Sequence, residues 1–169
     1  NALLAAGLRR QDRVMLMLPN SPAYIIAYYG TLRAGGIVVQ ANPLYTEREI
    51  RFLASDSGAR FMVTADSLYA RGKAAKDGTA LEKIILAELT GGAQPEGNDV
   101  RLQDFLAGAS CEPPAVYVQP TEVAVLQYTG GTTGLPKGAM LTHSNLVANI
   151  YQSISNRDEE KAGEIRLLM

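Results

Sequence analysis

Short apolar runs that alternate with helix-forming segments constrain the fold of this chain more than any other feature. The runs are rich in Val, Ile, Leu and Met, which is typical of buried strands. Strands separated by helices favour a mostly parallel sheet with helices on its faces. The sequence therefore predicts an α/β fold, with strands at Arg13–Leu18, Ile37–Val39, Arg60–Thr64, Lys83–Ala87 and Val123–Tyr128.

Helix start and stop signals separate the first two of these strands. Ser21 is a favourable capping residue, and Pro22 suits the first position of a helix. We expect this helix to run to about Ala34 and to end at the pair Gly35–Gly36. At the start of the chain, Asn1–Leu8 is predicted to form the last turns of a helix.

Similar signals follow the second and third strands. Thr46 and Glu49 have the spacing of a capping box, and Gly58 is a plausible stop for the helix that they open. Asp66 is predicted to cap a short helix that extends through Ala75. Three glycines and a proline between Thr90 and Asn98 indicate an exposed loop.

Composition limits the class of protein. Hydrophobic residues make up 47% and charged residues 20% of the 169 residues, which favours a folded globular body over disorder. A net charge of −1 argues against binding nucleic acid through bulk phosphate attraction, so we expect no nucleic-acid partner. The single cysteine, Cys111, excludes a disulfide framework within the chain and fits a reducing, cytoplasmic compartment.

The most apolar stretch does not predict a membrane span. It runs from Ala23 to Leu32 and stops at Arg33, far short of the roughly 20 apolar residues that a transmembrane helix needs. We therefore expect no transmembrane segment, while peripheral contact with a membrane remains open. Glu164–Met169 is predicted to begin a strand with no turn after it, which suggests that the chain is part of a larger protein.

A glycine- and threonine-rich segment from Tyr128 to Gly138 is the strongest functional signal. It holds four glycines, three threonines, one proline and Lys137, with no acidic residue. Glycines let consecutive backbone N–H groups line a concavity that binds anions, and threonine hydroxyls and a lysine add donors suited to phosphate. Because ligands of open α/β sheets bind beyond strand ends, the position after a predicted strand also suits a polyphosphate site.

This segment matches neither of two common phosphate-binding motifs. Lys137 is preceded by Pro136 and followed by Gly138, whereas the P-loop motif requires Gly-Lys followed by Ser or Thr. No Gly-x-Gly-x-x-Gly stands directly before a helix here. The extended residues Gly138–Thr142 instead predict strand, loop and strand, with Lys137 exposed in the loop, and then a helix from about Ser144 to Ser155. A glycine-rich turn without a ligand is the structural alternative.

Two stretches of this region resemble a known family. Tyr128–Gly138, with Leu141–His143 after it, is similar to the ATP-phosphate loop of the AMP-forming adenylating enzymes: acyl-CoA synthetases, peptide-synthetase adenylation domains and luciferases. Many members carry serine where this chain has Gly130, and the double-glycine form resembles the long-chain fatty acid–CoA ligase branch. The resemblance covers nearly the whole chain and weakens between Lys73 and Pro120 and after Ser155. Upstream segments that share it are Gly7–Leu8, Asp12–Val14, Leu18–Ser21, Ala34–Gly36 and Asn42–Thr46.

The resemblance implies a fold, a reaction and a set of binding residues. Residues 1–169 would form the first part of the large N-terminal AMP-binding domain of the acetyl-CoA synthetase-like fold. The enzyme would activate a fatty acid or other carboxylic acid with ATP and Mg²⁺ and transfer the acyl group to coenzyme A. The phosphate-binding residues implied are Thr129, Gly130, Gly131, Thr132, Thr133, Gly134 and Lys137. The magnesium ligand and the catalytic lysine would lie beyond Met169, so no catalytic residue is assigned here and the isolated chain is expected to be inactive.

Several alternatives remain at this point. The chain could instead belong to an aryl-CoA ligase, to a peptide-synthetase adenylation domain, to a non-catalytic nucleotide-binding module or to a structural α/β domain. Tyr128 is predicted to be a packing residue rather than a reactive one. His143, the only histidine, is assigned a structural role at a helix start that Thr142 or Ser144 could cap, and Cys111 lacks any motif typical of a nucleophile.

Overall fold

A computed structural model describes residues 1–129 and 136–155 of the chain. In these two ranges, helices and short strands alternate along most of the sequence. The helices are α1 (Ala2–Ala5), α2 (Pro22–Arg33), α3 (Glu47–Ser57), α4 (Tyr69–Ala74), α5 (Leu102–Leu106) and α6 (His143–Ser155). The strands are β1 (Arg13–Met17), β2 (Ile37–Gln40), β3 (Phe61–Ala65), β4 (Lys83–Ala87), β5 (Val100–Arg101), β6 (Val123–Thr129) and β7 (Lys137–Thr142).

The described strands form one seven-stranded sheet in the order β5-β4-β3-β1-β2-β6-β7. Neighbouring strands from β5 to β6 pair in parallel, and only β7 pairs antiparallel, with β6. Helices α2 and α3 follow β1 and β2, so the crossover connections that parallel pairing requires are helical. The predicted α/β fold with a mostly parallel sheet is confirmed.

The core has two layers, one on each face of the sheet. Alternate residues of a strand point to opposite faces, and in β1 the side chain of Leu16 packs in one cluster while those of Met15 and Met17 pack in the other. Helix α2 contributes Ala23, Ala27 and Leu32 to the first layer. Helix α3 contributes Ile50, Leu53 and Ala54 to the second. A strand buried on both faces has to be apolar throughout, which explains the continuous apolar runs in the sequence.

The predicted helix boundaries are confirmed where a cap was recognised. The Ser21 hydroxyl accepts a 3.3 Å hydrogen bond from the backbone N–H of Tyr24, with Pro22 at the first helical position. Thr46 and Glu49 form a complete capping box, in which each side chain accepts from the other residue's backbone N–H. Gly58 ends α3 with a φ of 62°, in the left-handed region that favours glycine.

Two short elements, β5 and α5, were not predicted. Strand β5 has two residues, Val100 and Arg101, which pair with Ile85 and Leu86 of β4. Helix α5 follows directly and packs Leu102 and Phe105 against the same core layer as α2. Segments this short carry no measurable periodicity, so their conformation depends on the tertiary contacts that surround them.

The predicted short helix before Ala75 is confirmed as α4, but the prediction that Asp66 caps it is wrong. Asp66 begins a 3₁₀ turn, Asp66–Leu68, that precedes α4, and its side chain does not bond to the free N–H groups of that helix. The buried carboxylate instead accepts hydrogen bonds from the loop after β4. A carboxylate can accept hydrogen bonds from any nearby free N–H groups, and the fold places those of Leu89, Thr90 and Gly92 within 3.2 Å of Asp66.

The last predicted strand and the helices can be compared with the expectations for the chain end and for a membrane span. The predicted strand at Glu164–Met169 lies outside the described residues. Among the helices that the structure describes, none combines the length and the apolar character needed to cross a membrane.

Candidate phosphate-binding hairpin

The candidate site lies at the carboxyl edge of the sheet, where β6 ends at Thr129. Strand β6 runs parallel to β2, with Gln127 opposite Gln40, and β2 runs parallel to β1. The carboxyl ends of these strands therefore meet at one edge, which is where α/β proteins bind their ligands. Helix α3 begins after β2 and so presents its N-terminus, capped by Thr46, toward the same edge.

Thr129 and Lys137 are cross-strand neighbours at the base of a hairpin. They are the last residue of β6 and the first of β7, and they pair directly in the antiparallel register. Directly opposed residues in such a pair have Cβ atoms about 4.5–5.5 Å apart. The two predicted strands are confirmed, and residues 130–135 between them lie outside the described residues. The side chains of Thr129 and Lys137 are both exposed. Lys137 is exposed as predicted but lies on β7, not in the loop.

The remaining predicted phosphate-binding residues lie outside the described residues. Of the set inferred from the sequence, the structure therefore brings together Thr129 and Lys137, and residues 130–136 connect them. The predicted phosphate-binding residues that the structure does not describe are Gly130, Gly131, Thr132, Thr133 and Gly134.

The side chain of Lys137 is available for an anion. In the described part of the chain, the ion pairs involve other lysines and arginines, and none involves Lys137. An exposed ammonium beside a threonine hydroxyl supplies a positive charge and a neutral donor at the mouth of the hairpin. Chemically, this pair can receive phosphate oxygens.

Tyr128, next to Thr129, anchors β6 to helix α3. Its ring is buried in the core layer that contains Ile50 and Leu53, and its hydroxyl donates a 2.5 Å hydrogen bond to the Oδ2 atom of Asp56. Burial, and then the hydrogen bond to the Asp56 carboxylate and its negative charge, raise the pKa of Tyr128 far above its usual range. The hydroxyl therefore stays protonated at neutral pH, and the predicted packing role of Tyr128 is confirmed.

Gly138 lies against the ring of Tyr128. A Cβ atom at position 138 would stand 3.1 Å from Cζ and 3.2 Å from Cε2 of that ring. Tyr128 and Gly138 are also paired in the β6–β7 register. The glycine thus allows the ring to lie across β7, which explains why the segment ends in glycine after Lys137.

A second polar cluster organises the same edge of the sheet beside β4. The buried carboxylate of Asp66 accepts hydrogen bonds from the backbone N–H groups of Gly92 at 2.8 Å, and of Leu89 and Thr90 at 3.2 Å. The Thr90 hydroxyl adds a bond at 3.1 Å. Because its acceptor sites are engaged by protein donors, Asp66 holds the loop and is not available to a ligand.

The residues at the junction of β7 and α6 make capping and backbone contacts. Thr142 and Asn145 form a reciprocal cap at the start of α6, in which the Thr142 hydroxyl accepts from the Asn145 N–H at 3.2 Å. The Asn145 side-chain oxygen accepts from the Thr142 N–H at 2.9 Å. His143 donates its backbone N–H to the carbonyl of Glu122 at 3.1 Å. Cys111 is exposed and free.

Helix α6 presents apolar side chains on its surface. No residue of α6 that the structure describes is buried, and Ile150 and Tyr151 are 55% and 67% exposed. An open groove of about 520 Å³ separates α6 from α2, and Tyr28, Leu32, Leu146 and Val147 are among its lining residues. Contiguous exposed apolar surface of this kind is typical of a face that another part of a protein covers.

Neither the role of Asp56 nor the reason for Gly138 follows from the sequence. Asp56 lies 72 positions before Tyr128, within a helix whose polar face gives no hint of a distant partner. Only the placement of α3 beside β6 brings the two side chains together.

The chain is similar to known proteins over nearly its whole length. The profile of the family described as "AMP-binding enzyme" matches residues 1–168. The long-chain-fatty-acid–CoA ligase of Bacillus subtilis is 38% identical over 96% of this chain and 33% of its own length. A 4-coumarate–CoA ligase of Vanilla planifolia is 33% identical over 94% of this chain and 28% of its own length.

A solved structure shows the same fold. The crystal structure of a long-chain-fatty-acid–CoA ligase from Archaeoglobus fulgidus superimposes with a TM-score of 0.78 at 35% identity, and the match covers 90% of this chain and 29% of that one. This chain thus spans about a third of the length of the curated relatives that it matches. With residues 1–168 matched by the family profile, the chain belongs to the family of AMP-binding enzymes.

Proposed function

We propose that this chain is part of an ATP-dependent, AMP-forming long-chain fatty acid–CoA ligase. Its residues 1–169 form the first part of the large N-terminal AMP-binding domain. The observation that carries the proposal is the pairing of Thr129 with Lys137 at the carboxyl edge of the sheet, on either side of a glycine- and threonine-rich connection. Lys137 forms no ion pair within the residues that the structure describes. Relatives named long-chain-fatty-acid–CoA ligase from several bacteria, at 36–39% identity, support the choice of substrate.

The proposed reaction has two steps. A carboxylate oxygen of the fatty acid attacks the α-phosphorus of ATP, the bond to the bridging oxygen breaks, and pyrophosphate leaves. The sulfur of coenzyme A then attacks the acyl carbon of the adenylate, and AMP leaves. Negative charge develops on phosphate oxygens in the first step, so donors placed there stabilise its transition state.

In this scheme the hairpin holds the β- and γ-phosphates of ATP. Lys137 supplies a positive charge, and Thr129 supplies a hydroxyl at the base of the hairpin. Backbone N–H groups and hydroxyls of the connecting loop supply further donors. The loop residues proposed for this role are Gly130, Gly131, Thr132, Thr133 and Gly134.

Magnesium is proposed to accompany ATP, but we assign no ligand for it in this chain. The described residues contain no group of three or more His, Cys, Asp or Glu side chains suited to a metal ion. The family resemblance leads us to propose that the ligand lies elsewhere in the protein, together with the catalytic lysine. The exposed apolar face of α6 supports the view that further parts of the same domain pack here.

A second candidate function is an aryl-CoA ligase. It is favoured by the 4-coumarate–CoA ligases of Vanilla planifolia and Solanum tuberosum, which are 33% and 34% identical to this chain. The two candidates share the adenylation chemistry and the phosphate-binding hairpin. They differ in the acid, so a comparison of palmitate with 4-coumarate as substrate separates them.

The test is ATP–pyrophosphate exchange by the full-length protein that contains this chain, with each acid in turn. Lys137→Ala should lower exchange about 10- to 150-fold, because a charge-assisted contact to phosphate contributes about 1.5–3 kcal/mol. Thr132→Ala should lose less, since a neutral hydroxyl bond is weaker. The melting temperature should change little, because exposed substitutions alter stability by about 0.5 kcal/mol or less.

Lys73→Ala is the matched control for this test. Lys73 is also exposed but lies on α4, where it pairs with Glu96. Exchange should be unchanged in this variant. Unchanged exchange in Lys137→Ala would contradict the phosphate-binding role, and a drop in melting temperature proportionate to the lost activity would favour a purely structural turn.

A further inference from the structure

The hydrogen bond between Tyr128 and Asp56 links the proposed phosphate-binding hairpin to helix α3. Asp56 lies in the last turn of α3, and Tyr128 lies one residue before the end of β6. Their side chains meet at 2.5 Å, so the position of β6 beside the hairpin is tied to a helix that is otherwise connected to β2 and β3.

The ring of Tyr128 carries this link on to β7. Its atoms Cζ, Cε2 and Oη would all lie within 3.4 Å of a Cβ atom at Gly138, so the ring covers the backbone of β7 next to Lys137. A shift of the ring therefore changes the space available to the strand that holds Lys137. Packed groups with so little clearance move together.

We propose that Asp56 is a positioning residue for ATP binding, which acts through the Tyr128 hydroxyl to fix the base of the β6–β7 hairpin. The proposal rests on the function proposed above and adds to it a residue outside the glycine-rich segment. Asp56 acts at a distance and contacts neither ATP nor the acid.

The surroundings of Tyr128 argue against a direct chemical role for its hydroxyl. The Tyr128 side chain is buried except for 6% of its surface, and its hydroxyl is directed at Asp56. Asp56 is exposed on the surface of α3, where solvation would leave its carboxylate free to choose other orientations without the tyrosine. The contact thus orders both groups, and its effect on ATP has to pass through the ring and Gly138.

The test uses the full-length protein with three variants: Tyr128→Phe, Asp56→Ala and Asp56→Asn. Tyr128→Phe keeps the ring and removes only the donor, and Asp56→Asn keeps an oxygen that can accept. We expect kcat/KM for ATP to fall about 2- to 12-fold in Tyr128→Phe and in Asp56→Ala, as the loss of one hydrogen bond implies. KM for the acid should stay unchanged, and Asp56→Asn should recover most of the activity.

The double variant tests whether the two residues act as one unit. Tyr128→Phe combined with Asp56→Ala should be no worse than either single variant, because one contact can be lost only once. Losses that multiply would show that the residues act independently and would overturn the proposal. Values of kcat/KM for ATP within twofold of the wild type in either single variant would also overturn it.

A readout without catalysis separates this inference from the proposed function. Hydrogen exchange of the backbone amides of β7, Lys137–Thr142, should be faster in Tyr128→Phe and Asp56→Ala, and to the same extent in both. Unchanged exchange rates would overturn the inference even if the protein proved inactive toward every acid. Faster exchange of β7 in the two variants, together with a wild-type protein that binds no ATP, would contradict the proposed function and leave only the structural link from Asp56 to the hairpin.

Two control variants remove the same kinds of group, a carboxylate and a tyrosine hydroxyl, at other positions. Glu47→Ala removes another exposed carboxylate of α3, which makes no hydrogen bond or ion pair within the described residues. Tyr29→Phe removes the hydroxyl of a tyrosine that is 56% exposed on α2. Neither should change kcat/KM for ATP or the exchange of β7, and a change as large as that in Tyr128→Phe would overturn the proposal.

Discussion

The carboxylate of Asp66, directly after β3, accepts a 2.8 Å hydrogen bond from the backbone N–H of Gly92, 26 positions further along the chain. The same carboxylate holds the N–H groups of Leu89 and Thr90. One buried side chain therefore closes the loop that follows β4. The loop is glycine-rich and mostly exposed, so its own sequence favours no regular structure. The contact with Asp66 fixes its conformation.

Asp66→Asn should destabilise the protein. The amide presents one accepting oxygen instead of two, and its NH₂ group would face backbone donors that it cannot satisfy. We expect a loss of about 1.5–3 kcal/mol, the range for a hydrogen bond to a charged group. Urea unfolding measures it, with Asp77→Asn, an exposed aspartate on the chain segment after α4, as the control that should not change. Equal stability of both variants would show that the loop does not need the charge.

The contribution of Asp66 should disappear in acid. Burial alone would raise its pKa, but hydrogen bonds from Gly92, Leu89 and Thr90 outweigh burial and hold the pKa well below its ordinary value. The unfolded chain therefore takes up the proton first, near pH 4, so stability is present above that pH and falls as the pH drops toward the folded pKa. The difference between wild type and Asp66→Asn should shrink between pH 5 and about pH 2, as urea midpoints across that range would show.

Two glycines should respond to alanine with opposite signs. Gly58 has a φ of 62°, and a Cβ there would lie 2.6 Å from Nη2 of Arg13, whose guanidinium donates to the Gly58 carbonyl. Gly58→Ala should cost about 1 kcal/mol or more. Gly30 lies inside α2 with nothing within 4 Å of a Cβ, so Gly30→Ala should stabilise by about 0.8–1 kcal/mol. Thermal melts of both variants check the signs, and a stabilising Gly58→Ala would mean that α3 ends differently.

Tyr28 should make the protein sensitive to alkali. Burial, and then the neighbouring Tyr24 and Tyr29, raise the pKa of Tyr28 to about 12. A tyrosine in the unfolded chain loses its proton near pH 10, so this group stabilises the fold below pH 10 and its contribution is lost as the pH rises toward 12. Tyr28→Phe should make the fall of the urea midpoint between pH 9.5 and 11.5 less steep. Tyr117→Phe, at a site that is 73% exposed, should leave the slope as it is.

Local sequence was enough for the elements whose signals lie within a few residues. Five strands of the parallel sheet and the helix starts at Ser21 and Thr46 follow from burial on both faces and from capping, which are short-range effects. The hairpin around Lys137 was also predictable, because Pro136 and the extended residues after it exclude a helix.

Tertiary structure alone decided the contacts that place the site. The order of strands puts β6 beside β2, α3 beside Tyr128 and the loop after β4 beside Asp66, and none of these neighbours is close in sequence. A polar side chain such as Asp56 or Asp66 has the same local signature whether it faces water or a distant donor. Its role is therefore set by which donors the packed sheet brings within about 3 Å, a distance that no pattern along the chain encodes.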